Sequence, residues 1–160
     1  SIYYINLSKD EFKLGGSAFA QILNKIGDEV PTITDAAYFK NAFNTIQQLI
    51  NDGQVAAGHD VGSGGLITTL AEMCFAGYNL DADLDFSGFE EEDIFKILFN
   101  ENIGVVLQAH NDQEFVKALE AANELQIAGT LFLNVNPNIM QDPKFKTGFT
   151  KAYLKNYDYD

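Results

Sequence analysis

Between Gly58 and Gly65 the chain places four glycines in eight residues, and the stretch Ala57-Gly58-His59-Asp60-Val61-Gly62-Ser63-Gly64-Gly65-Leu66 constrains the fold more than any other. The apolar run from Gln54 to Ala57 reads as the end of a strand, and Leu66 to Phe75 reads as a helix. Glycine tolerates positive φ and has no Cβ, so a strand-to-helix corner made of it brings bare N–H groups close to a ligand. The helix behind the corner adds unpaired donors and the positive end of a dipole, a setting that suits phosphate. A tight turn capped by Asp60 or Ser63 accounts for the same residues without any ligand. The phosphate-loop spacing G-x-x-x-x-G-K-[ST] and the dinucleotide fingerprint are both absent.

A second glycine corner, Leu14-Gly15-Gly16-Ser17-Ala18-Phe19-Ala20, follows the first strand, Ile2 to Leu7, whose β-branched and aromatic run predicts burial on both faces. Ser17 is placed as an N-cap, with Phe19, Ile22, Leu23 and Ile26 at helical spacing up to Gly27-Asp28. The clearest helix is Ala36 to Asn51, capped by Thr34 or Asp35, with the stripe Phe39, Ala42, Phe43, Ile46, Leu49 and Ile50. Further along, Tyr78 to Asp85 alternates as a half-exposed strand, Glu90 to Phe99 is a helix with acids in its first turn, and Gly104 to Ala109 is a buried strand. Asn111 opens the next helix in capping-box fashion, with Phe115, Ala118, Leu119, Ala122 and Leu125 as its stripe, and Ile127 to Leu133 reads as a last strand. The expected fold is α+β, a layered α/β sandwich with a mixed sheet, because strands alternate with helices but two helices follow the first strand. Residues 1–133 read as one domain and 134–160 as a poorly specified tail, with a short helix around Phe149 to Leu154.

Charge excludes several partners. A formal net charge of -13 leaves no basic patch for nucleic acid and no attraction to an anionic membrane. Any phosphate must therefore be held by backbone donors. The single Cys74 forms no internal disulfide, which favours a reducing, cytoplasmic setting; no apolar run reaches membrane-spanning length, and no signal peptide opens the chain. Ser1 leads directly into an apolar strand, consistent with a processed end or a domain excised from something longer.

Other chemistries fit poorly. Gly62-Ser63-Gly64 is not G-x-S-x-G, and His59 is too near Ser63 in sequence to be placed as its base. Cys74 sits inside Met73-Cys74-Phe75-Ala76 and reads as buried and inert. His59 and His110 with one cysteine are too few for a closed zinc site, and His110 reads as a surface residue at a strand end. The run Asp81, Asp83, Asp85 has Phe86 where a calcium loop needs glycine, so no metal site is expected. His59 beside Asp60 remains open to two roles, donating to a substrate oxygen or satisfying a backbone carbonyl.

Three stretches read together resemble one family. His59-Asp60-Val61-Gly62-Ser63-Gly64-Gly65-Leu66 with Leu70-Ala71-Glu72-Met73-Cys74-Phe75-Ala76, Leu14-Gly15-Gly16-Ser17-Ala18-Phe19-Ala20-Gln21, and Leu98-Phe99-Asn100-Glu101-Asn102 are similar to blocks of the C-terminal-type domain of phosphoribosylformylglycinamidine synthases. That domain is shared with aminoimidazole ribonucleotide synthetase and its relatives. The resemblance covers about Ser1 to Leu125, runs in the family's order, and is best to the second such domain of the long single-chain synthases.

The resemblance implies a fragment of an ATP-dependent amidoligase of purine biosynthesis, which converts formylglycinamide ribonucleotide, glutamine and ATP to formylglycinamidine ribonucleotide. ATP and magnesium would be held largely by another domain and not by this fragment alone, which would be inactive by itself. Its implied share is binding of a phosphorylated ribonucleotide through Gly15, Gly16, Ser17, Asp60, Gly62, Ser63, Gly64 and Gly65, with His59 as the catalytic candidate, together with packing against other domains of the parent enzyme. The family's usual His-Asp-x-Ser-Asp-Gly-Gly departs here, with Gly62 and Ser63 in place of Ser and Asp. Another ATP-dependent member of the superfamily, or a noncatalytic assembly domain, are the alternative readings.

Overall fold

The computed structural model describes residues 1–77, 82, 84–121 and 129–131. The strands are β1 (Ile2–Asn6), β2 (Val55–Asp60), β3 (Gly104–Ala109) and β4 (Gly129–Leu131), in the spatial order β2-β3-β1-β4. The helices are α1 (Ala18–Ile22), α2 (Ala36–Asn51), α3 (Gly65–Phe75), α4 (Ile94–Phe99) and α5 (Asp112–Ala121).

Alternating side chains of the sheet build two cores. Tyr3, Ile5 and Leu7 face one way and join Leu107 and Ala109 against Tyr38, Ala42, Ile46 and Leu49 of α2 and Phe115 and Leu119 of α5. Ile2 and Tyr4 face the other way and join Val106 against Leu66 and Leu70 of α3, Ile97 of α4, and Phe12 and Phe89. Helices thus cover both sides of the sheet, which is the expected layered α+β sandwich. β1 is buried throughout, as its continuous apolar run predicts.

The sheet corrects one expectation. Every described strand pair is antiparallel, β1 with β3 and β4, and β2 with β3, instead of mixed. β1 and β2 do run in the same direction, because each opposes β3, but β3 is inserted between them. The chain therefore makes a split β-α-β crossover, whose sequence alternation looks like that of a parallel neighbour pair.

Helix ends also differ from the expectation. α1 stops at Ile22, not near Gly27, since Asn24 takes φ 54° and the chain folds back so that Gly16 N–H reaches the Ile26 carbonyl. α4 starts at Ile94, not Glu90: Glu91 accepts from the Asp93 amide, and Asp93 in turn caps the Phe95 amide, so the acids form a lead-in ahead of the helix. α2 matches the prediction, with the Asp35 carboxylate accepting from Ala37 and Tyr38 N–H, although Phe43 and Ile50 of its stripe are nearly half exposed. The predicted strand Tyr78 to Asp85 lies largely outside the described residues, and Ala82, Leu84 and Asp85 are not in a strand. The 134–160 tail lies outside them altogether.

Candidate functional site

β2 carries the first half of the Gly58–Gly65 stretch within the sheet. Gly58 pairs with Leu107 in that sheet, and only a glycine fits there without displacing it, because a Cβ would come within 2.8 Å of Leu107 Cδ2. His59 and Asp60 pair with Val106 and Val105, and Val61 N–H donates to the Gly104 carbonyl as the chain leaves the sheet. The corner proper is Gly62-Ser63-Gly64. It is closed by Gly65 N–H donating to the Gly62 carbonyl, and α3 begins at once.

Its glycines serve different purposes. Gly64 at φ 92° and Gly65 at φ 75° take the left-handed conformation that L side chains avoid. A Cβ on Gly65 would lie 2.6 Å from the Asn100 carbonyl oxygen, and one on Gly64 would overlap the Thr68 hydroxyl. Gly62 is different: a Cβ there would meet nothing within 4 Å. The bare approach at Gly62 is therefore open to something outside the described residues.

The donors are divided. Gly64 N–H is spent on Glu101 Oε1 at 2.8 Å. Among the described residues the N–H groups of Gly62 and Ser63 donate to nothing, and both residues are exposed. These two adjacent amides stand directly ahead of the eleven-residue α3, the kind of position at which helix N-termini accept anions. Neither Asp60 nor Ser63 caps α3: its N-cap is Gly64, with no side-chain cap bond, and the Asp60 carboxylate is 86% exposed.

His59 is held by its neighbours. Its Nδ1 lies 2.7 Å from the Asp60 carbonyl oxygen, which can only accept, so Nδ1 carries the hydrogen. Its Nε2 faces Glu72 Oε2 at 3.5 Å, on the second turn of α3. Thr69 Oγ1 also donates to the Asp60 carbonyl, at 3.3 Å. The Thr69 hydroxyl thus fastens the end of β2 to the flank of α3, and His59 adds to this through Nε2–H and Glu72 when its ring is doubly protonated.

The other corner, Gly15-Gly16-Ser17, is built differently. Gly15 N–H donates to the Glu29 carbonyl, Gly16 N–H to Ile26, and Ser17 N–H to Leu14. Ser17 is 2% exposed; its hydroxyl donates to the Leu14 carbonyl and accepts from Ala20 N–H, the N-cap role expected of it. The amides foreseen as a phosphate cradle are consumed by the chain's own return loop, as an apolar lead-in at Leu14 and a left-handed Gly16 at φ 74° permit.

A residue given no role from the sequence joins the two corners. Glu101 Oε1 accepts from Ala18 N–H at 2.8 Å as well as from Gly64 N–H. The signal was its place in the Leu98–Asn102 block, but nothing in local spacing shows that residues 18, 64 and 101 converge. Cys74 is half-buried, not fully buried as expected, because it lies near the exposed end of α3, where Phe75 is 60% exposed. His110 is exposed just past β3, and its N–H donates to the Gln54 carbonyl. Among the described residues no three His, Cys, Asp or Glu side chains gather as a metal site, and no helix is long and apolar enough to cross a membrane.

Residues 5–132 match the family described as AIR synthase related protein, C-terminal domain. The probable phosphoribosylformylglycinamidine synthase, chloroplastic/mitochondrial, of Arabidopsis thaliana is 41% identical over 108 residues, covering 67% of this chain and 8% of that protein. The phosphoribosylformylglycinamidine synthase of Schizosaccharomyces pombe is 41% identical over 128 residues, covering 78% of this chain and 9% of that protein. The chain therefore spans less than about a tenth of the length of these curated relatives. Among solved structures, Thermotoga maritima PurLQS superposes with a TM-score of 0.55 at 17% identity, covering 83% of this chain and 22% of that one. T. maritima PurL complexed with FGAR gives 0.55 at 19% identity, covering 84% and 22%; at such identities the likeness concerns the fold.

Proposed function

Because the chain belongs to the AIR synthase related family as a C-terminal domain, we propose that it serves as one domain of a phosphoribosylformylglycinamidine synthase and supplies part of that enzyme's phosphate-binding surface. The proposed overall reaction is amidation of formylglycinamide ribonucleotide with glutamine as nitrogen source and ATP as energy source. The observation that carries this domain's share is the pair of free amides at Gly62 and Ser63, beside a glycine with open space where a Cβ would stand. T. maritima PurL, of whose chain this fold covers 22% and 21% in the two superpositions, has been solved complexed with FGAR and with AMPPCP, a precedent for nucleotide-sized ligands in a protein that contains the fold.

Each residue's task follows from its bonds. Gly62 and Ser63 donate to a phosphate oxygen. Gly64 and Gly65 make the turn that aims them, and the Thr69 hydroxyl, joined by His59 when its ring is doubly protonated, holds the strand end against α3 so that Asp60 and Val61 enter the corner at a fixed angle. The role of Gly15, Gly16 and Ser17 is support of the neighbouring loop, since their amides already have partners. His59 is thus assigned to orientation ahead of proton transfer. The carboxylates of Asp60 and Glu101 make the local field negative, so the cation that balances a bound phosphate comes from another domain or from magnesium.

Partner domains have a surface to meet. Ile22, Leu23 and Phe95 are each more than half exposed, and Phe19, against which Phe95 stacks at 5.8 Å, joins them. We assign this face to interdomain packing within the parent enzyme. The compartment proposed is the cytoplasm, while the Arabidopsis relative carries an organellar name. The test is Gly62→Ala in the parent enzyme: KM for the phosphorylated substrate should rise about tenfold or more while the melting temperature is unchanged, and an unchanged KM would remove the phosphate role.

A further inference from the structure

The turn between α4 and β3 lies between the two glycine corners. On one side, the backbone of Phe99 and Asn100 is so close to Gly65 that a Cβ there would lie 2.6 to 2.8 Å from their atoms. On the other side, the Phe99 ring stacks on Phe19 of α1 with centroids 4.5 Å apart. Three successive side chains of the turn then make different attachments. Asn100 Nδ2 donates to the Lys96 and Ile97 carbonyls, closing α4. Asn102 Nδ2 donates to Ser8 Oγ and the Glu11 carbonyl, fixing the chain after β1. Between them, Glu101 reaches both corners with one oxygen.

We infer that Glu101 is a positioning residue: its carboxylate locks the Ala18 and Gly64 amides together and so sets the aim of the neighbouring Gly62 and Ser63 donors. The chemistry suits the task. An ionised acceptor makes bonds to N–H about twice as strong as a neutral one does, and a single oxygen shared by two amides couples them, so that neither corner shifts without the other. Gly64 has no side-chain cap, so Glu101 is what holds the amide at the N-cap of α3. Once Gly64 is fixed, Gly65 N–H bonded to the Gly62 carbonyl leaves the Gly62-Ser63 peptide little freedom. Glu101 itself donates nothing and touches no ligand in this scheme.

The ligand arm of this inference rests on the phosphate-binding reading of Gly62 and Ser63; the coupling of the two corners does not. Both are read from amide NMR spectra of the 160-residue chain, compared among wild type, Glu101→Gln and Glu101→Ala. In Glu101→Ala the Ala18 and Gly64 amide protons should move upfield together and exchange with solvent at least tenfold faster, while core amides such as Ile5 and Val106 stay in place. Ribose 5-phosphate, titrated against the Gly62 and Ser63 amide signals, should bind about tenfold more weakly. Glu101→Gln keeps a carbonyl acceptor without the charge and should restore part of both effects, which a residue needed only for folding would not do. If Ala18 and Gly64 respond independently, or neither responds, the inference is overturned. If wild type binds no ribose 5-phosphate, the phosphate reading fails while the paired response of Ala18 and Gly64 still decides the coupling. Should Glu101→Ala not fold, Glu101→Gln alone carries the decision: joint upfield movement supports the lock, and unmoved amides refute it.

Discussion

Replacing Gly64 and Gly62 separately by alanine should split stability from binding. At Gly64 the substitution forces an L side chain to φ 92° and drives its Cβ onto the Thr68 hydroxyl, with Thr68 Cβ only 3.0 Å away. Left-handed backbone costs an L residue roughly 1–2 kcal/mol. Overpacking a filled position costs about 1–3 kcal/mol more, and Thr68 has little room to yield because its hydroxyl donates to the Gly64 carbonyl at 3.1 Å. Together the loss is about 2–5 kcal/mol, a large share of the roughly 5–15 kcal/mol that holds a domain folded. At Gly62, where φ is not positive and the Cβ position is open, the change should stay within about 0.5 kcal/mol. Urea unfolding at constant m-value measures both. Adding Thr68→Ala to Gly64→Ala should recover the hydroxyl overlap but not the backbone strain, so part of the deficit remains. A Gly64→Ala midpoint within 1 kcal/mol of wild type, by the linear-extrapolation slope, would refute the reasoning from φ and overlap. For the same reason Gly64 is a poor probe of ligand approach, and Gly62 a good one.

Other outcomes follow from the same geometry. Gly65→Ala should destabilise more than Gly64→Ala, since it meets the Phe99–Asn100 backbone and not a side chain, and equal midpoints would contradict this. Phe115→Ala, at a fully buried ring 4.7 Å from Tyr3, should cost about 3–5 kcal/mol in the same assay. Asp10 gives a pH signature. Burial opposes its ionisation, but Lys13 and the Thr32 and Glu11 amides outweigh that and hold its carboxyl below the usual carboxylate range. A carboxyl depressed in the folded state contributes stability above its unfolded pKa, about 3.9, and loses it as pH falls through the folded value. Asp10→Asn should therefore lower the urea midpoint at pH 7 and converge with wild type as the pH falls through the depressed folded-state value; a difference that persists undiminished in acid would count against the assignment.

The parts of the fold that local chemistry controls were legible in the sequence. The α2 stripe, its Asp35 cap, the β-branched and aromatic run of the fully buried β1 and the Asn111 start of α5 each announce themselves within a few residues. Four features did not. The insertion of β3 between β1 and β2 depends on pairing across about a hundred residues, which alternation of elements cannot encode. The end of α1 depends on Ile26 and Glu29 returning to Gly16 and Gly15, a tertiary contact that overrides a good helical stripe. In the candidate site, the two glycine corners looked equivalent in sequence, and only their bonding partners separate a closed turn from one with free amides. Glu101 was visible as part of a block but not as a link, because its partners are 83 and 37 positions away.

Amide NMR of the 160-residue chain titrated with ribose 5-phosphate tests the central claim most directly. The Gly62 and Ser63 amide protons should move downfield and saturate, while those of Gly15, Gly16 and Ser17, already bonded within the chain, stay where they are. Saturating shifts at the Gly15–Ser17 corner with Gly62 and Ser63 unmoved would contradict the account.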